Sequence, residues 1–230
     1  MSLILNIDTA TADASICLAR DSEVLMAMQN DDQKEHAKWL QQAILMLLSD
    51  TGLKLQDIEA VAVTAGPGSY TGLRVGMATA KGLCYALGLP LITESTLRVM
   101  ACAAIQQLSF KPVTEDPSLF CAMIDARRME VFTAMYNTEL EEVEPAMALM
   151  IDENAFSKLL KSHRIVFFGD GSHKWKHLCN HPNAGFIDSV KPSSNSLAML
   201  AASHFQHKRF NDIAYAEPVY IKEFYSYTKN

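Results

Sequence analysis

The sequence predicts an α/β protein of two related lobes, and three observations predict it. In the first half of the chain, short apolar runs alternate with stretches of helical period in the order βββαβαβα. A polar segment with two prolines, "SFKPVTEDP" (109–117), then breaks the pattern. Beyond it, "LFCAMIDARRMEVFTAMY" repeats the opening, so that Ile124-Asp125 stands where Ile7-Asp8 stood, each ending an apolar strand before a polar turn. The expected division is 1–108 for the first lobe and 109–230 for the second, whose C-terminal segment packs back on the first.

The elements follow in order. "LILNIDTA" and "ASICLARD" read as two strands joined by a tight polar turn, and "EVLMAMQ" continues the meander. A helix is expected from 35 to 51, with Gly52 in the place of a C-cap glycine. A strand near 60–64 leads into the glycine loop, and a helix runs from the loop to Leu87 with Gly88 after it. The strand "PLIT" and a helix over 95–107 complete the first half. The second half is expected to add a helix near 152–162, the strand "RIVFFGDG", and helices around 172–179 and 194–207.

With 230 residues, 49% apolar and 20% charged, the chain is an ordinary globular one able to bury a core. Its longest apolar runs, such as "AILMLL" (43–48), fall far short of the roughly 20 residues a membrane helix requires. The N-terminus lacks a basic region and a small-residue cleavage site, which predicts a cytoplasmic protein with no membrane contact. The cysteines at 17, 84, 102, 121 and 179 are scattered without a C-x-x-C pair, the pattern of idle thiols in a reducing compartment. Twenty basic against 26 acidic residues give a net charge of −6, which argues against nucleic-acid binding by the chain alone. The local exceptions are "HKWKH" (173–177) and "KEFYSYTKN" (222–230), where basic and aromatic residues interleave; both read first as solvated surface.

The stretch "TAGPGSYTGLRVG" (64–76) raises the question of a phosphate cradle, because glycines admit close backbone approach and the next helix offers its positive end. Asp8, Gly66, Gly68, Ser69 and Thr71 are the candidates for that role. The loop lacks the P-loop lysine, does not follow G-x-G-x-x-G spacing, and is not a G-x-S-x-G elbow around Ser69. The competing reading is structural. Gly72, Gly76 and Ala80 recur at i, i+4 and i+8, a smooth stripe along which another backbone can come close. On helix 35–51 the apolar arc exceeds half the circumference, with Trp39, Ala43 and Met46 on it, which suggests a surface for another protein. The expected partner interface is therefore Trp39, Ala43, Met46, Gly72, Gly76 and Ala80.

Taken together, "GPGSYTGLRVG", "LNIDTAT", "KEHAKWL", "IDARRMEVF" and "AEPVYIK" resemble the bacterial TsaB (YeaZ) family of tRNA threonylcarbamoyladenosine biosynthesis proteins over nearly the whole chain. The resemblance implies an actin-like ATPase fold of two ribonuclease-H-like lobes with mixed sheets. It also implies a non-catalytic scaffold and activator of the paralogous enzyme TsaD. Heterodimerised with TsaD, and with the ATPase TsaE in a ternary complex, such a chain supports transfer of threonylcarbamoyl to the adenosine beside the anticodon of tRNAs reading codons that begin with A. It carries no cofactor and meets tRNA only through the complex; paralogy lets the same patch form a homodimer in isolation.

Two departures fit a non-catalytic member. The H-x-x-x-H pair that holds the metal of TsaD is here His36 followed by Leu40, and the turn "IDTAT" lacks the glycine with which actin-like ATPases approach phosphate. His173, His177 and His181 recur at helical spacing, but the lysines between them and the lack of a nearby carboxylate ligand argue against a natural metal site. The alternative reading is an ATP-binding enzyme of the actin-like ATPase or sugar-kinase type that uses Asp8, Asp125 and the glycine loop.

Overall fold

The computed structural model describes residues 2–32, 36–109 and 119–222. The segment read as a linker, apart from Ser109, and the aromatic tail after Lys222 lie outside them. The chain is carried by two five-stranded sheets. The first joins β1 (Leu3–Asp8), β2 (Ala14–Arg20), β3 (Glu23–Asn30), β4 (Ala60–Gly66) and β5 (Leu91–Ser95) in the order β3-β2-β1-β4-β5. The second joins β6 (Leu119–Asp125), β7 (Glu130–Tyr136), β8 (Glu142–Met150), β9 (Ile165–Phe168) and β10 (Ala184–Ile187) in the order β10-β9-β6-β7-β8. In each, the first three strands pair antiparallel and the last two run parallel to the central one. The repeat suggested by two Ile-Asp pairs is thus a repeat of topology. Asp8 and Asp125 both end a central strand, opposite Ser15 and Val131 respectively. The doubled order is that of two ribonuclease-H-like lobes in an actin-like ATPase fold.

β1 reads "LILNID" without polar alternation because it is covered on both faces. On one face, Leu5, Ile7, Ile16, Val61 and Val63 meet Leu40, Ala43, Ile44 and Leu47 of α1 (His36–Thr51) and Met77, Ala80 and Cys84 of α2 (Tyr70–Leu87). The other face presents Ile4, Ala60, Ala62 and Ile92 to Val99 and Cys102 of α3 (Thr96–Ser109) and to Leu197, Leu200 and Ala201 of α6 (Ser194–Gln206). The opposite side of α3, with Leu97, Met100, Ala101 and Ala104, packs on Phe120, Ala122, Ile124 and Ala134 of the second sheet. One helix therefore serves both cores. α6, which follows the second sheet in sequence, covers the first.

The caps behave as their residues require. Gly52 and Gly88 both take φ of +68°, and Leu53 N–H reaches back to the Leu48 carbonyl at 3.0 Å, as Leu89 N–H does to Cys84 at 2.9 Å. The second half departs from the periodic reading. In place of a helix over 152–162 there is one turn, α4 (Ser157–Leu160), because the Asp152 carboxylate accepts from Asn154 N–H and Phe156 sits at φ +64°, both of which hold the chain in turns. α5 is limited to Ser172–Lys176. β8 and β10 have no counterpart in the periodic reading: both are edge strands, one half-exposed with its pairing register shifted about Pro145, the other four residues long. Among the described residues no helix is long and apolar enough to cross a membrane.

Because α6 fills the first sheet's inner face, Leu197→Ala, at a position with no exposure, should cost about 2–5 kcal/mol through loss of packing. Urea unfolding followed by circular dichroism measures this; a loss under about 1 kcal/mol would mean that α6 is not integral to the first core.

Candidate functional site

The turn after β1 and the glycine loop after β4 are built against each other. Ser69 N–H donates to the Ala10 carbonyl at 2.6 Å, the Thr9 hydroxyl donates to the Gly72 carbonyl at 2.7 Å, and the Ser69 hydroxyl caps α2 by accepting from Gly72 N–H at 3.3 Å. A Cβ on Gly68 would lie 2.1 Å from the Ala10 carbonyl oxygen, and one on Gly72 would lie 2.0 Å from that of Thr9. One turn further, a Cβ on Gly76 would meet the Thr9 hydroxyl at 2.3 Å. These glycines are the space into which the β1–β2 turn fits. Gly66 is closed from another side: Val219 N–H donates to the Ala65 carbonyl at 2.7 Å, and the Val219 carbonyl stands 2.5 Å from where a Gly66 side chain would begin. Of the phosphate-loop candidates, Gly66 and Gly68 are filled by protein, Ser69 is spent on the helix cap, and Thr71 is left exposed.

Asp8 is fully buried. Its Oδ1 accepts from the Thr64 hydroxyl at 2.8 Å and from Ala10 N–H at 3.1 Å, while Oδ2 has no partner. Burial pushes its pKa up to about 6 against the opposing pull of those two hydrogen bonds. Asp125, at the matching position of the second sheet, is exposed and bonded to the Lys174 ammonium at 2.6 Å. Its partial burial raises the pKa, but the hydrogen bonds from Lys174 and Arg127 N–H outweigh this and hold the carboxyl below its usual value. The two aspartates that the alternative reading would use as a pair are therefore engaged differently: one is sealed and drawn toward neutrality, the other neutralised by a lysine.

His36 is buried at the start of α1 with Nε2 at 3.1 Å from the Ala12 carbonyl, and Leu40 beside it belongs to the core. The histidine is a strut between α1 and the β1–β2 turn. The row of His173, His177 and His181 is not one face, because α5 ends at Lys176 and His181 lies in the next turn, where its ring nitrogen accepts from Asn183 N–H. Among the described residues no three His, Cys, Asp or Glu side chains are grouped to hold a metal. Cys17 and Cys121, buried, are pushed up to about 12 and remain thiols.

The interface expected from helical spacing needs correction. Ala43, Gly72, Gly76 and Ala80 face inward: Ala43 and Ala80 lie in the core under α1 and α2, and Gly72 and Gly76 rest on Thr9. Trp39 is half-buried against the same core. Only Met46 points outward, at 50% exposure, beside Leu45 at 64%. The outward side of the two helices carries its own small residues, Ala78 and Gly82, which with Gln41, Thr79 and Leu83 line a shallow groove of about 370 Å³ bridged by the Gln41–Thr79 hydrogen bond. Tyr85, 85% exposed, lies one turn on. The i, i+4 signal for Ala78 and Gly82 stands in the sequence as plainly as that for Gly76 and Ala80.

A second cleft, of about 280 Å³, opens between the lobes and is lined among others by Gly68, Tyr70, Arg127, Phe132, Tyr220 and Lys222. Sequence reasoning missed it because its walls come from the glycine loop, the β6–β7 turn and the "AEPVYIK" segment, brought together only by folding.

Residues 29–223 match the family described as TsaD: tRNA N6-adenosine threonylcarbamoyltransferase. The chain is 31% identical to the tRNA threonylcarbamoyladenosine biosynthesis protein TsaB of Escherichia coli K12, covering 95% of this chain and 94% of that one. It is 28% identical to the protein of that name from Bacillus subtilis 168, covering 95% and 93%. Among solved structures, YeaZ from Pseudomonas aeruginosa superposes with a TM-score of 0.78 at 25% identity, over 96% of this chain and all of that one. A Pseudomonas aeruginosa protein described as similar to peptidase YEAZ gives 0.82 at 24%, over the same shares.

Two outcomes are expected of the closed turn. Gly72→Ala should destabilise the fold by at least about 1–3 kcal/mol, since backbone must move to admit the methyl group, and thermal melting checks it; an unchanged melting temperature would show that the loop is not clamped. For Asp8, the folded state holds a proton up to about pH 6, whereas the unfolded chain releases it near 3.8, so its contribution to stability is full below pH 3.8 and is lost as the pH rises through 6. Relative to Asp8→Asn, wild type should therefore lose about 3 kcal/mol between pH 3.5 and 7; parallel pH profiles for the two proteins would contradict the burial of the carboxylate.

Proposed function

We propose that this chain, which belongs to the TsaB family of tRNA threonylcarbamoyladenosine biosynthesis proteins, is the non-catalytic partner and activator of a TsaD enzyme. In that role it forms a heterodimer with TsaD, joined by TsaE, and supports transfer of threonylcarbamoyl to the adenosine beside the anticodon of tRNAs reading codons that begin with A. The observation that carries the reading is the closed β1–β2 turn. A phosphate held there would need the space that Ser69, Gly68 and Gly72 give to Thr9 and Ala10, and Asp8 below it is sealed from solvent. The metal pair of TsaD is likewise reduced to His36, engaged with the Ala12 carbonyl.

The outward face of α1 and α2 is the natural partner surface. Leu45, Met46 and Tyr85 are exposed apolar side chains flanking the Ala78–Gly82 groove, and small residues let a partner helix approach closely. The face is shared by both assemblies, so a homodimer in isolation competes with the heterodimer.

The reading is tested by purifying the chain with TsaD and assaying modification of a tRNA transcript by TsaD and TsaE with and without it; modification independent of this chain would overturn it. Micromolar ATP binding with hydrolysis by the chain alone would favour the enzyme reading instead. Gly82→Trp locates the surface: a side chain at Gly82 meets nothing within 4 Å, so the monomer should keep its circular dichroism. Bulk inserted into a packed contact costs about 1–3 kcal/mol, so affinity for TsaD and for itself should fall about tenfold or more. A folded Gly82→Trp variant that binds TsaD as wild type does would place the partner elsewhere.

A further inference from the structure

The cleft between the lobes has a chemistry of its own. Tyr70, at the start of α2, and Tyr220 pack with ring centroids 5.4 Å apart. Arg74, one turn along α2, lies with its guanidinium carbon 3.9 Å from the Tyr70 ring centroid and donates from Nε to the Tyr220 hydroxyl at 3.1 Å. An exposed arginine already held by a ring face and a hydrogen bond loses little rotamer freedom on meeting an anion.

Facing these is the β6–β7 turn, where Arg127 and Arg128 stand consecutively in the left-handed region, at φ +69° and +50°. Arg127 N–H donates to the Asp125 carboxylate at 2.5 Å, Ala126 N–H to the Glu130 carbonyl at 3.1 Å, and Glu130 N–H to the Arg127 carbonyl at 3.2 Å, which together hold the turn in that conformation. Both arginine side chains are exposed, and among the described residues neither has a carboxylate within ion-pair distance. The neighbouring carboxylates that would otherwise neutralise them are taken: Asp125 by Lys174 and Glu130 by Lys222. In a chain of net charge −6, Arg127, Lys222, Tyr70 and Tyr220 line one cleft, and Arg128 follows Arg127 in the turn at its edge.

We infer that this cleft binds an unpaired stretch of tRNA, with backbone phosphates on Arg127 and Arg128 and a base against the Tyr70–Tyr220 pair. Basic groups tracking a backbone beside aromatic rings are the chemistry of single-stranded RNA, since every base has a face to stack. A nucleoside triphosphate fits less well, because the β1–β2 turn that would take its phosphates is filled. The inference rests on the functional reading above. The overall acidity of the chain makes the cleft an added site of attachment within the TsaD complex rather than an independent binding site.

The test measures affinity of the complex with TsaD for an unmodified tRNA transcript across a salt series. Asparagine tolerates the left-handed region, so Arg127→Asn with Arg128→Asn removes both charges while keeping the turn. Affinity should fall about tenfold or more, and the slope of log affinity against log salt should drop by about 1 to 2, near 0.7–0.9 for each phosphate no longer neutralised. Tyr220→Leu should lower affinity with little change in slope. Lys208→Gln with Arg209→Gln, which removes two exposed charges beyond α6, should change neither. A complex that forms and modifies tRNA but is indifferent to the arginine pair, or loses as much affinity in the Lys208/Arg209 control, overturns this inference alone. A wild-type chain that neither joins TsaD nor supports modification overturns the functional reading and this one with it.

Discussion

The fold of the first lobe depends on the seating of the α2 N-terminus on the backbone of Thr9 and Ala10. Carbonyl oxygens stand about where the side chains of residues 68 and 72 would begin, and this is possible only because both are glycine. The same seating sets the height of α2 above β1 and β4, and so the packing of Met77, Ala80 and Cys84 on Ile7, Val61 and Val63. It also decides chemistry. A loop of this composition between a strand and a helix can cradle an anion with its amides, but here Ser69 N–H is turned onto a protein carbonyl and the helix is capped by the Ser69 hydroxyl. Asp8 is buried as a consequence.

The two lobes repeat one topology with different electrostatics. At the end of β1 the aspartate is sealed and its pKa rises to about 6; at the end of β6 the aspartate is exposed to a lysine and stays ionised. The turn that follows differs in the same sense. In the first lobe its first residues, Thr9 and Ala10, are small and buried under α2; in the second the turn projects, and carries Arg127, Arg128 and Met129 into solvent. Between the sheets, α3 and α6 supply a continuous apolar layer, with α3 contributing to both cores. The buried Glu94 carboxylate nearby, with the half-buried His204 at 3.0 Å and Arg98 at 3.2 Å, ties β5, α3 and α6 together at that layer.

The local grammar can be read from the residues alone: the succession of elements in the first half, the helices with Gly52 and Gly88 as their ends, and the Ile-Asp repeat that betrays two lobes. These are legible because each rests on a period or a backbone preference that holds within a few residues. That Gly72 and Gly76 admit close packing is legible too, since glycines within a helix need a reason, whereas Gly68 reads equally as part of a phosphate cradle until the Ala10 carbonyl is seen beside it. Which way the stripes face is settled only when the elements pack. α2 has small residues on two sides, Gly76 and Ala80 on one, Ala78 and Gly82 on the other, and spacing cannot tell which meets the sheet; the Thr9–Ala10 turn takes the first, since only there does a bulky side chain collide. β8 and β10 escape notice because an edge strand needs neither length nor an unbroken apolar run. The cleft of Tyr70, Arg127 and Tyr220 is invisible for a simpler reason: its residues are scattered along the chain, and only the closing of one lobe against the other makes them neighbours.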